Sequence, residues 1–401
     1  MDKAYKNSTE LMQLHGVPIY MQDMVDACLI GRLNLFLQGD TGSGKTQLAR
    51  DAMGYFGDKS MFVLGRNDMD TRELFQQINL EKLRTGQISS ELRELTEKVD
   101  HHLIVVDELS NCVPAVRAQL FNLFDGFIEI NGRAYPIGKG YSVGIATGNI
   151  GQKFTESSNE LGRALKDRMH VIVDSDYFSP SAGDTLEILA GNTNPRVEFS
   201  DNSQNDSDKI IRSYQQISTT QPPLEKLLIA NYLFHGLDYC SKGSKRKMKD
   251  AWPTQLENNE QGSDVGLVLP VSMRAAKSII SLSQALDKIT EEKGVSRENI
   301  ENNCFDSMMK AYKFVSAYSG VLNEAAIDAN YEGDRYKAMD AISATTKQQF
   351  ETQSDNINGG LEMVASGQTD SRVLNKFTGR WKFMRETLGN LADMKKKKLK
   401  K

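Results

Sequence analysis

Short apolar runs alternate with longer amphipathic segments through the first 175 residues of the chain. The runs extend from Leu33 to Leu37, Met61 to Leu64, Leu103 to Val106, Val143 to Ala146 and Val171 to Val173. Continuous apolar runs of this length are typical of strands that are buried on both faces of a sheet. Helical segments between them provide the crossovers that parallel strands require. The pattern therefore predicts an α/β domain, a parallel sheet with helices on both faces.

The segment FIEINGRAYPI, from Phe127 to Ile137, has a different pattern. Asn131 and Gly132 stand between two alternating stretches, and both residue types accept the positive φ angles of a type I′ turn. We expect a β-hairpin here, inserted before the fourth strand.

After residue 190 the alternation ends. A segment rich in Asn, Ser and Asp follows, which is typical of a linker or surface loop. Helical patterns dominate beyond Pro223, and the last 75 residues or so are also helical in pattern before the terminal lysine run. We therefore expect an α/β domain over residues 1–190, a linker or loop over 191–220, a helical domain over 221–325, and a helical C-terminal extension with a lysine-rich tail over 326–401. In that extension we expect one apolar set to pack against the helical domain: Phe377, Trp381, Phe383 and Leu388.

Composition and charge exclude several classes of protein. The formal net charge of −4 provides no overall basic field for nucleic acid or an anionic membrane. The four cysteines lack CxxC spacing, which argues against a zinc site or a disulfide framework and favours a reducing, cytoplasmic location. The polar N-terminus and the lack of an 18-residue apolar run lead us to expect neither secretion nor a membrane span.

The octapeptide GDTGSGKT follows the first apolar run and precedes a helical segment. It comprises Gly39, Asp40, Thr41, Gly42, Ser43, Gly44, Lys45 and Thr46. This is the pattern of a phosphate-binding loop, in which backbone N–H groups point into one cavity, the lysine reaches the β and γ phosphates, and the hydroxyl binds Mg²⁺. The following helix directs the positive end of its dipole at the phosphates. We expect a nucleoside triphosphate to bind here.

Polar residues also end the third and fourth apolar runs. A triphosphate site needs a second magnesium anchor at the end of a neighbouring strand, and the run LIVVDE places Asp107 to hold the water shell of the metal. Glu108 is placed to polarise the attacking water as general base. The run VGIATGN ends in Asn149, whose amide can orient that water between Glu108 and the γ phosphate. We predict Thr46 and Asp107 as the metal ligands.

The order of these motifs resembles that of the AAA+ ATPases, and in particular of their MoxR-like group. The resemblance rests on DELSNCVPAVRAQLFNLFDG, EINGRAYPI, IATGNIGQ, ELGRALKDRMHVIVDSDY and LPVSMRAAKSII, and covers roughly residues 15 to 290. It implies an AAA+ P-loop NTPase fold with an all-α lid in the helical domain. The chain departs from the family pattern in having DELSN for DEINR, Ile150 after Asn149 where Pro is common, and Met169 after Arg168 where Phe is usual.

The resemblance also implies roles for three arginines. Arg168 matches the arginine that family members insert into the site of the neighbouring subunit, and Arg163 is the alternative. Arg274 corresponds to the lid arginine that contacts the γ phosphate of its own subunit. A site completed in trans requires assembly, and the resemblance implies a homo-oligomer in the form of a hexameric ring.

The implied function is that of an ATPase that remodels or matures a partner protein or complex, in part of the family beside a partner with a von Willebrand factor A domain. ATP is preferred to GTP because an NKxD guanine motif is missing where a GTPase would carry one. Two other functions stay open. A nucleic-acid-stimulated motor is supported only by the hairpin and by the basic patches 242–249 and 395–401. A structural or assembly protein that hydrolyses ATP slowly is the other, although the set of Lys45, Asp107 and Glu108 argues against it.

Overall fold

The structure is a computed structural model of the 401-residue chain. It describes residues 4–66, 68, 76–78, 93–95, 97–130, 132–149, 166–191, 194, 196–198, 205–238 and 266–399. The chain folds into two compact units, of which the first comprises Met1–Gln221 and Ser281–Lys310 and the second comprises Pro222–Ile280 and Ala311–Lys401. Among the helices that are described, none combines the length and the apolar character that a membrane crossing requires.

The first unit opens with an antiparallel hairpin that the sequence pattern did not predict. Strands β1 (Glu10–Leu14) and β2 (Val17–Tyr20) pair around a two-residue loop, and helix α1 (Met21–Gly31) follows. In the loop, His15 and Gly16 have φ angles of 51° and 83°. Because His-Gly is a weaker turn signal than Asn-Gly, the pattern of this segment was not recognised.

A five-stranded parallel sheet forms the core of this unit. Its strands are β3 (Leu35–Gln38), β4 (Ser60–Leu64), β7 (Leu103–Asp107), β10 (Val143–Gly148) and β11 (Val171–Asp174). All five predicted strands are thus confirmed, and every residue of β3, β7 and β10 is buried. The strand order is β11-β3-β10-β7-β4. One expectation was wrong, because the strand ending in Asp107 is not the neighbour of the phosphate-loop strand: β10 lies between them.

Two short antiparallel hairpins accompany the sheet. Strands β5 (Gln76–Ile78) and β6 (Arg93–Leu95) form one of them. The other is the predicted inserted hairpin, β8 (Phe127–Ile130) and β9 (Arg133–Pro136), with Ile130 opposite Arg133. Gly132 has the positive φ that the turn requires, at 76°, whereas Asn131 lies outside the described residues.

Among the described residues up to Gln221, four α-helices follow α1. They are α2 (Lys45–Met53), α3 (Pro114–Phe124), α4 (Ala182–Gly191) and α5 (Ser207–Thr219). Helix α5 lies inside the range 191–220 that was predicted as a linker or loop, and it packs on α1. The polar composition before position 206 led to the prediction of a loop. The residues that follow have the spacing of an amphipathic helix, with Ile210, Tyr214 and Ile217 on one face.

The remaining helices begin with α6 (Leu224–Asn231), which continues into a π-helical turn, Tyr232–Gly236. Helices α7 (Met273–Glu292) and α9 (Cys304–Ser316) contribute residues to both units, and α8 (Arg297–Asn302) belongs to the first. The second unit is completed by α10 (Glu324–Tyr331), α11 (Arg335–Thr352), α12 (Ser354–Ser366), α13 (Ser371–Leu374) and α14 (Phe383–Leu399). The helical character predicted beyond Pro223 is therefore observed in the described part of this region.

An aromatic cluster lies in the core of the second unit. The ring of Trp381 is 4.9 Å from that of Tyr232 and 5.0 Å from that of Phe350, between centroids. Trp381 is 4% exposed, and Phe377 and Leu388 are fully buried. The apolar set of the C-terminal extension therefore packs, as predicted, against the region after Pro223.

Candidate nucleotide-binding site

A cavity of about 820 Å³ opens at the carboxyl edge of the parallel sheet. The loop between β3 and α2 lines one end of it, together with Asp107, Glu108, Thr147 and Asn149. Ligands of open α/β sheets bind outside the carboxyl ends of the strands, where loops from separate strands converge. The structure therefore brings the predicted loop, acidic and amide residues to one site.

Two positions of the phosphate loop require glycine. Gly39 has a φ of 150°, and a Cβ there would lie 2.2 Å from Ser175 Oγ. Gly44 has a φ of 79°, and a Cβ there would lie 3.0 Å from the Tyr5 ring. A side chain at either position would be strained and would collide with a neighbour.

Residues after β11 fix the shape of this loop. The backbone N–H of Asp40 donates to Asp176 Oδ2 at 2.7 Å. The hydroxyls of Ser43 and Ser175 lie 2.9 Å apart, and Ser175 Oγ donates to the carbonyl of Gln38 at 2.8 Å. Ser175 and Asp176 were not identified from the sequence, because their role depends on β11 lying beside β3.

The ammonium of Lys45 is folded back onto the loop. Its Nζ donates to the carbonyls of Gly39 at 3.0 Å and Asp40 at 2.6 Å, and to Ser43 Oγ at 3.1 Å. Burial lowers the pKa of Lys45, and four surrounding carboxylates act in the opposite direction, those of Asp176, Asp40, Asp107 and Asp174. A charged phosphate oxygen is a stronger acceptor for an ammonium group than a carbonyl oxygen is. Exchange of these carbonyl partners for a phosphate group is therefore favourable for Lys45.

Hard oxygen donors meet where α2 begins and β7 ends. Thr46 Oγ1 donates to Asp107 Oδ1 at 2.9 Å, which places a hydroxyl beside a carboxylate. Asp107 is 8% exposed. Because Mg²⁺ prefers oxygen ligands and is held by one or two carboxylates together with phosphate oxygens, this donor set fits that ion.

Thr147, on β10, connects the two acidic residues and was missed from the sequence. Its Oγ1 donates to Asp107 Oδ1 at 2.5 Å and accepts from the backbone N–H of Glu108 at 3.0 Å. The available signal was its position two residues before Asn149, since alternate residues of a strand share a face. The pairing of β10 with β7, in which Ala146 lies opposite Val106, follows from the assembled sheet and could not be obtained from the sequence.

Glu108 has a left-handed backbone conformation, with a φ of 56°. Its side chain is exposed in the cavity wall, and Glu108 Oε2 accepts from Asn111 Nδ2 at 2.7 Å. Positive φ in a residue other than glycine is uncommon and is concentrated at functional sites. Glu108 and Asn149 both line the cavity.

Arg168 lies at the opposite edge of the sheet from the phosphate loop. Val171 pairs with Leu35 at the start of β3, whereas the loop follows Gln38 at its end. Since a parallel strand rises about 3.3 Å per residue, Arg168 is separated from the loop by about 13 Å or more along the strand direction. Its Nε donates to Asp125 Oδ2 at 2.9 Å, and its guanidinium lies 4.8 Å from the Phe121 ring centroid.

The roles expected for the other two arginines stay predictions. Arg163 lies outside the described residues. Arg274 is in the first turn of α7, in the second unit, and its contact with a nucleotide stays a prediction.

Apolar groups that the sequence did not reveal also line the cavity. Tyr5, Pro180, Ile188 and Val197 contribute to it. Nucleotide bases are flat and aromatic, so an apolar slot beside a phosphate loop has the character of a base subsite.

Comparison with known proteins agrees with this geometry. The family model described as AAA domain (dynein-related subfamily) matches residues 34–169. No curated protein matches the sequence of the chain.

Two solved structures match the chain in a structural comparison. A protein described as a "putative ATPase" from Cytophaga hutchinsonii is 16% identical, with a TM-score of 0.54, and the match covers 81% of this chain and 88% of that one. A full-length MCM homolog from Methanopyrus kandleri is 12% identical, with a TM-score of 0.45, and the match covers 74% of this chain and 55% of that one. The family match, the parallel sheet and the phosphate-loop site together identify an AAA domain: the chain has the AAA+ P-loop NTPase fold and is an ATPase.

Proposed function

We propose that the protein is a ring-forming, MoxR-like AAA+ ATPase that hydrolyses ATP with Mg²⁺ and uses the energy to remodel or mature a partner protein or complex. The observation that carries the proposal is the convergence of Lys45, Thr46, Asp107, Glu108 and Asn149 on one cavity. This is the set of groups that hydrolysis of a triphosphate requires.

Each group has a defined task in this proposal. Lys45 exchanges its loop carbonyls for β and γ phosphate oxygens, and Thr46 and Asp107 hold the metal site. Mg²⁺, when bound, neutralises charge that develops on the phosphate oxygens. Glu108 takes a proton from the attacking water, and Asn149 orients that water.

The position of Arg168 supports a site that is completed by a second copy of the chain. At the amino edge of its own sheet, Arg168 is too far from its own loop to stabilise a γ phosphate, because an arginine side chain spans only about half of that separation. The ion pair with Asp125 and the contact with Phe121 hold the guanidinium in one orientation, as a group that serves a neighbour must be held. Arg163 is the alternative for this role, and Arg274 would act from the lid of the same subunit.

A contact that delivers Arg168 to the next subunit is heterologous, and such contacts close into rings when the rotation permits. We propose six subunits, a cytoplasmic location, and a client or partner that in some systems carries a von Willebrand factor A domain. The number of subunits and the kind of partner rest on the resemblance of the motifs alone, and the location rests on the spacing of the cysteines.

The first test is Glu108→Gln. The variant should bind ATP with normal affinity and assemble, yet lose nearly all turnover, because the amide cannot accept the proton of water. Steady-state hydrolysis and size-exclusion chromatography with ATP measure both effects, and Glu298→Gln, an exposed position on α8, is the matched control. Turnover at the wild-type rate in Glu108→Gln would show that the base is elsewhere.

The second test mixes two inactive variants. Lys45→Ala lacks a working loop but keeps Arg168, and Arg168→Ala has the opposite defect, so mixed rings should regain part of the activity. Mixtures that stay as inactive as either variant alone would contradict completion of the site in trans.

Proteins retained by the Glu108→Gln ring identify the client, whereas stimulation of ATP hydrolysis by nucleic acid that falls steeply with salt would favour the motor instead.

A further inference from the structure

Two irregular segments contribute to the lining of the cavity. One is the N-terminal segment, residues 4–9, and the other is the distal segment, residues 196–198. Their residues Tyr5 and Val197 line the cavity. Neither segment belongs to a helix or strand, so side chains elsewhere must fix their positions.

Asp51 of helix α2 holds the N-terminal segment. Its carboxylate is 7% exposed, and Oδ2 accepts from the backbone N–H of Tyr5 at 2.8 Å. The carbonyl of the same tyrosine accepts from Gln22 Nε2 at 3.1 Å. Both backbone groups of Tyr5 are thereby satisfied, and its ring lies against Gly44 of the phosphate loop.

Gln47, one helical turn earlier, holds the distal segment. Its Oε1 accepts from the backbone N–H of Glu198 at 2.8 Å, and its Nε2 donates to the carbonyl of Glu198 at 3.2 Å. The same Nε2 donates to Asp51 Oδ1 at 2.9 Å. Gln47 and Asp51 therefore join two segments that lie almost 190 residues apart in sequence.

We propose that Gln47 and Asp51 are positioning residues that set the base subsite at a fixed distance from the phosphate subsite. The proposal rests on the proposed function, since it assumes that ATP occupies the cavity. Neither side chain needs to contact the base. They act through Tyr5 and Val197, which present apolar surface to it.

The physical basis is that one short helix carries both sets of contacts. Lys45 and Thr46, at the start of α2, face the phosphates, and Gln47 and Asp51 lie on one face of the same helix, four residues apart. A rigid helix keeps the two subsites in register, so binding a nucleoside triphosphate does not incur the cost of ordering both segments. A ligand without a base does not benefit from this arrangement.

The test compares ATP with inorganic tripolyphosphate, which has the phosphates but no base. Affinities are measured with Mg²⁺ for the full-length chain by competition against a fluorescent ATP analogue. In Gln47→Ala, ATP should bind about tenfold more weakly, since two backbone hydrogen bonds are lost and each contributes a factor of roughly three. Tripolyphosphate should bind within about twofold of its wild-type affinity. Gln216→Ala, an exposed position on α5, is the matched control and should change neither value.

A second variant, Asp51→Asn, keeps the shape of the buried side chain and one of its acceptor atoms. It should shift the ratio of the two affinities in the same direction. Thermal unfolding of each variant confirms that the fold is intact, and unchanged binding of tripolyphosphate confirms that the loop is.

The outcomes separate this inference from the proposed function. An equal loss for both ligands, or no loss for either, overturns a base-positioning role for Gln47 while ATP hydrolysis by the wild type stands. Failure of the wild-type protein to prefer ATP over tripolyphosphate would overturn the base subsite itself, and failure to hydrolyse ATP would overturn the proposed function.

Discussion

Replacement of Thr147 by valine tests whether the site depends on the strand order of the sheet. Thr147 is 2% exposed, and valine preserves its shape while it removes the hydroxyl. Two hydrogen bonds disappear, one to the Asp107 carboxylate and one from the Glu108 backbone N–H. The change therefore affects the proposed metal ligand, Asp107, and the proposed general base, Glu108, together and leaves both residues in place.

The size of the effect follows from these two bonds. A hydrogen bond to a charged group contributes about 1.5–3 kcal/mol and a neutral one about 1 kcal/mol. Thr46 continues to donate to Asp107, which reduces the loss at the carboxylate. We expect the free energy of unfolding of the variant to be about 1–3 kcal/mol lower than that of the wild type. If a similar amount is lost in placing the two acids at the transition state, kcat falls about 5- to 160-fold.

Two measurements check this expectation. Steady-state ATP hydrolysis is followed as a function of Mg²⁺ concentration, and thermal unfolding gives the change in stability. Thr147→Ser, which keeps the hydroxyl, should retain most of the activity and the wild-type dependence on Mg²⁺. A Thr147→Val protein with wild-type kcat and wild-type Mg²⁺ dependence would refute the reasoning, because Asp107 and Glu108 would then be positioned without β10.

Two further predictions concern stability. Trp381→Ala should reduce the free energy of unfolding by about 3–5 kcal/mol, because the buried indole between Tyr232 and Phe350 leaves a cavity, and an unchanged melting temperature would contradict this. Hydrogen bonds to the carboxylate, above all the one from the Ser8 backbone N–H, lower the pKa of Asp184 from 3.8 to about 2. The contribution of the ionised Asp184 to the stability of the fold is therefore fully present above about pH 4 and is lost as the pH falls towards 2. Urea-unfolding midpoints at decreasing pH should therefore converge for the wild type and Asp184→Asn, and a constant difference would contradict the assignment.

The sequence predicted much of the site because its signals are local. A glycine-rich loop between an apolar run and a helix predicts the candidate phosphate-binding residues, since the backbone conformation there depends on Gly39 and Gly44. Acidic and amide residues at strand ends identified Asp107, Glu108 and Asn149, because the carboxyl ends of parallel strands share one edge. Each inference needed only neighbours in the chain and one rule of sheet geometry.

Residues whose role depends on distant partners were missed. Asp51 is an ordinary acidic residue of a helix until the backbone of Tyr5 lies against it, and nothing within several residues of Gln47 points to Glu198. The composition of residues 191–206 obscured helix α5, because polar residues before it were weighed more heavily than the apolar stripe within it. The roles of Asp51 and Gln47 were missed because they depend on contacts that span long separations in sequence.

By itself, the sequence determined that the protein has a parallel α/β core with a phosphate loop, and which residue types can perform hydrolysis, because periodicity and turn chemistry act within a few residues. The tertiary structure decided how those residues are supported. Insertion of β10 between β3 and β7 brings Thr147 to both acids, and the pairing of β11 with β3 puts Arg168 at the far edge and Asp176 on the loop. Strand order and register are set by the packing of the whole sheet, which local patterns do not encode.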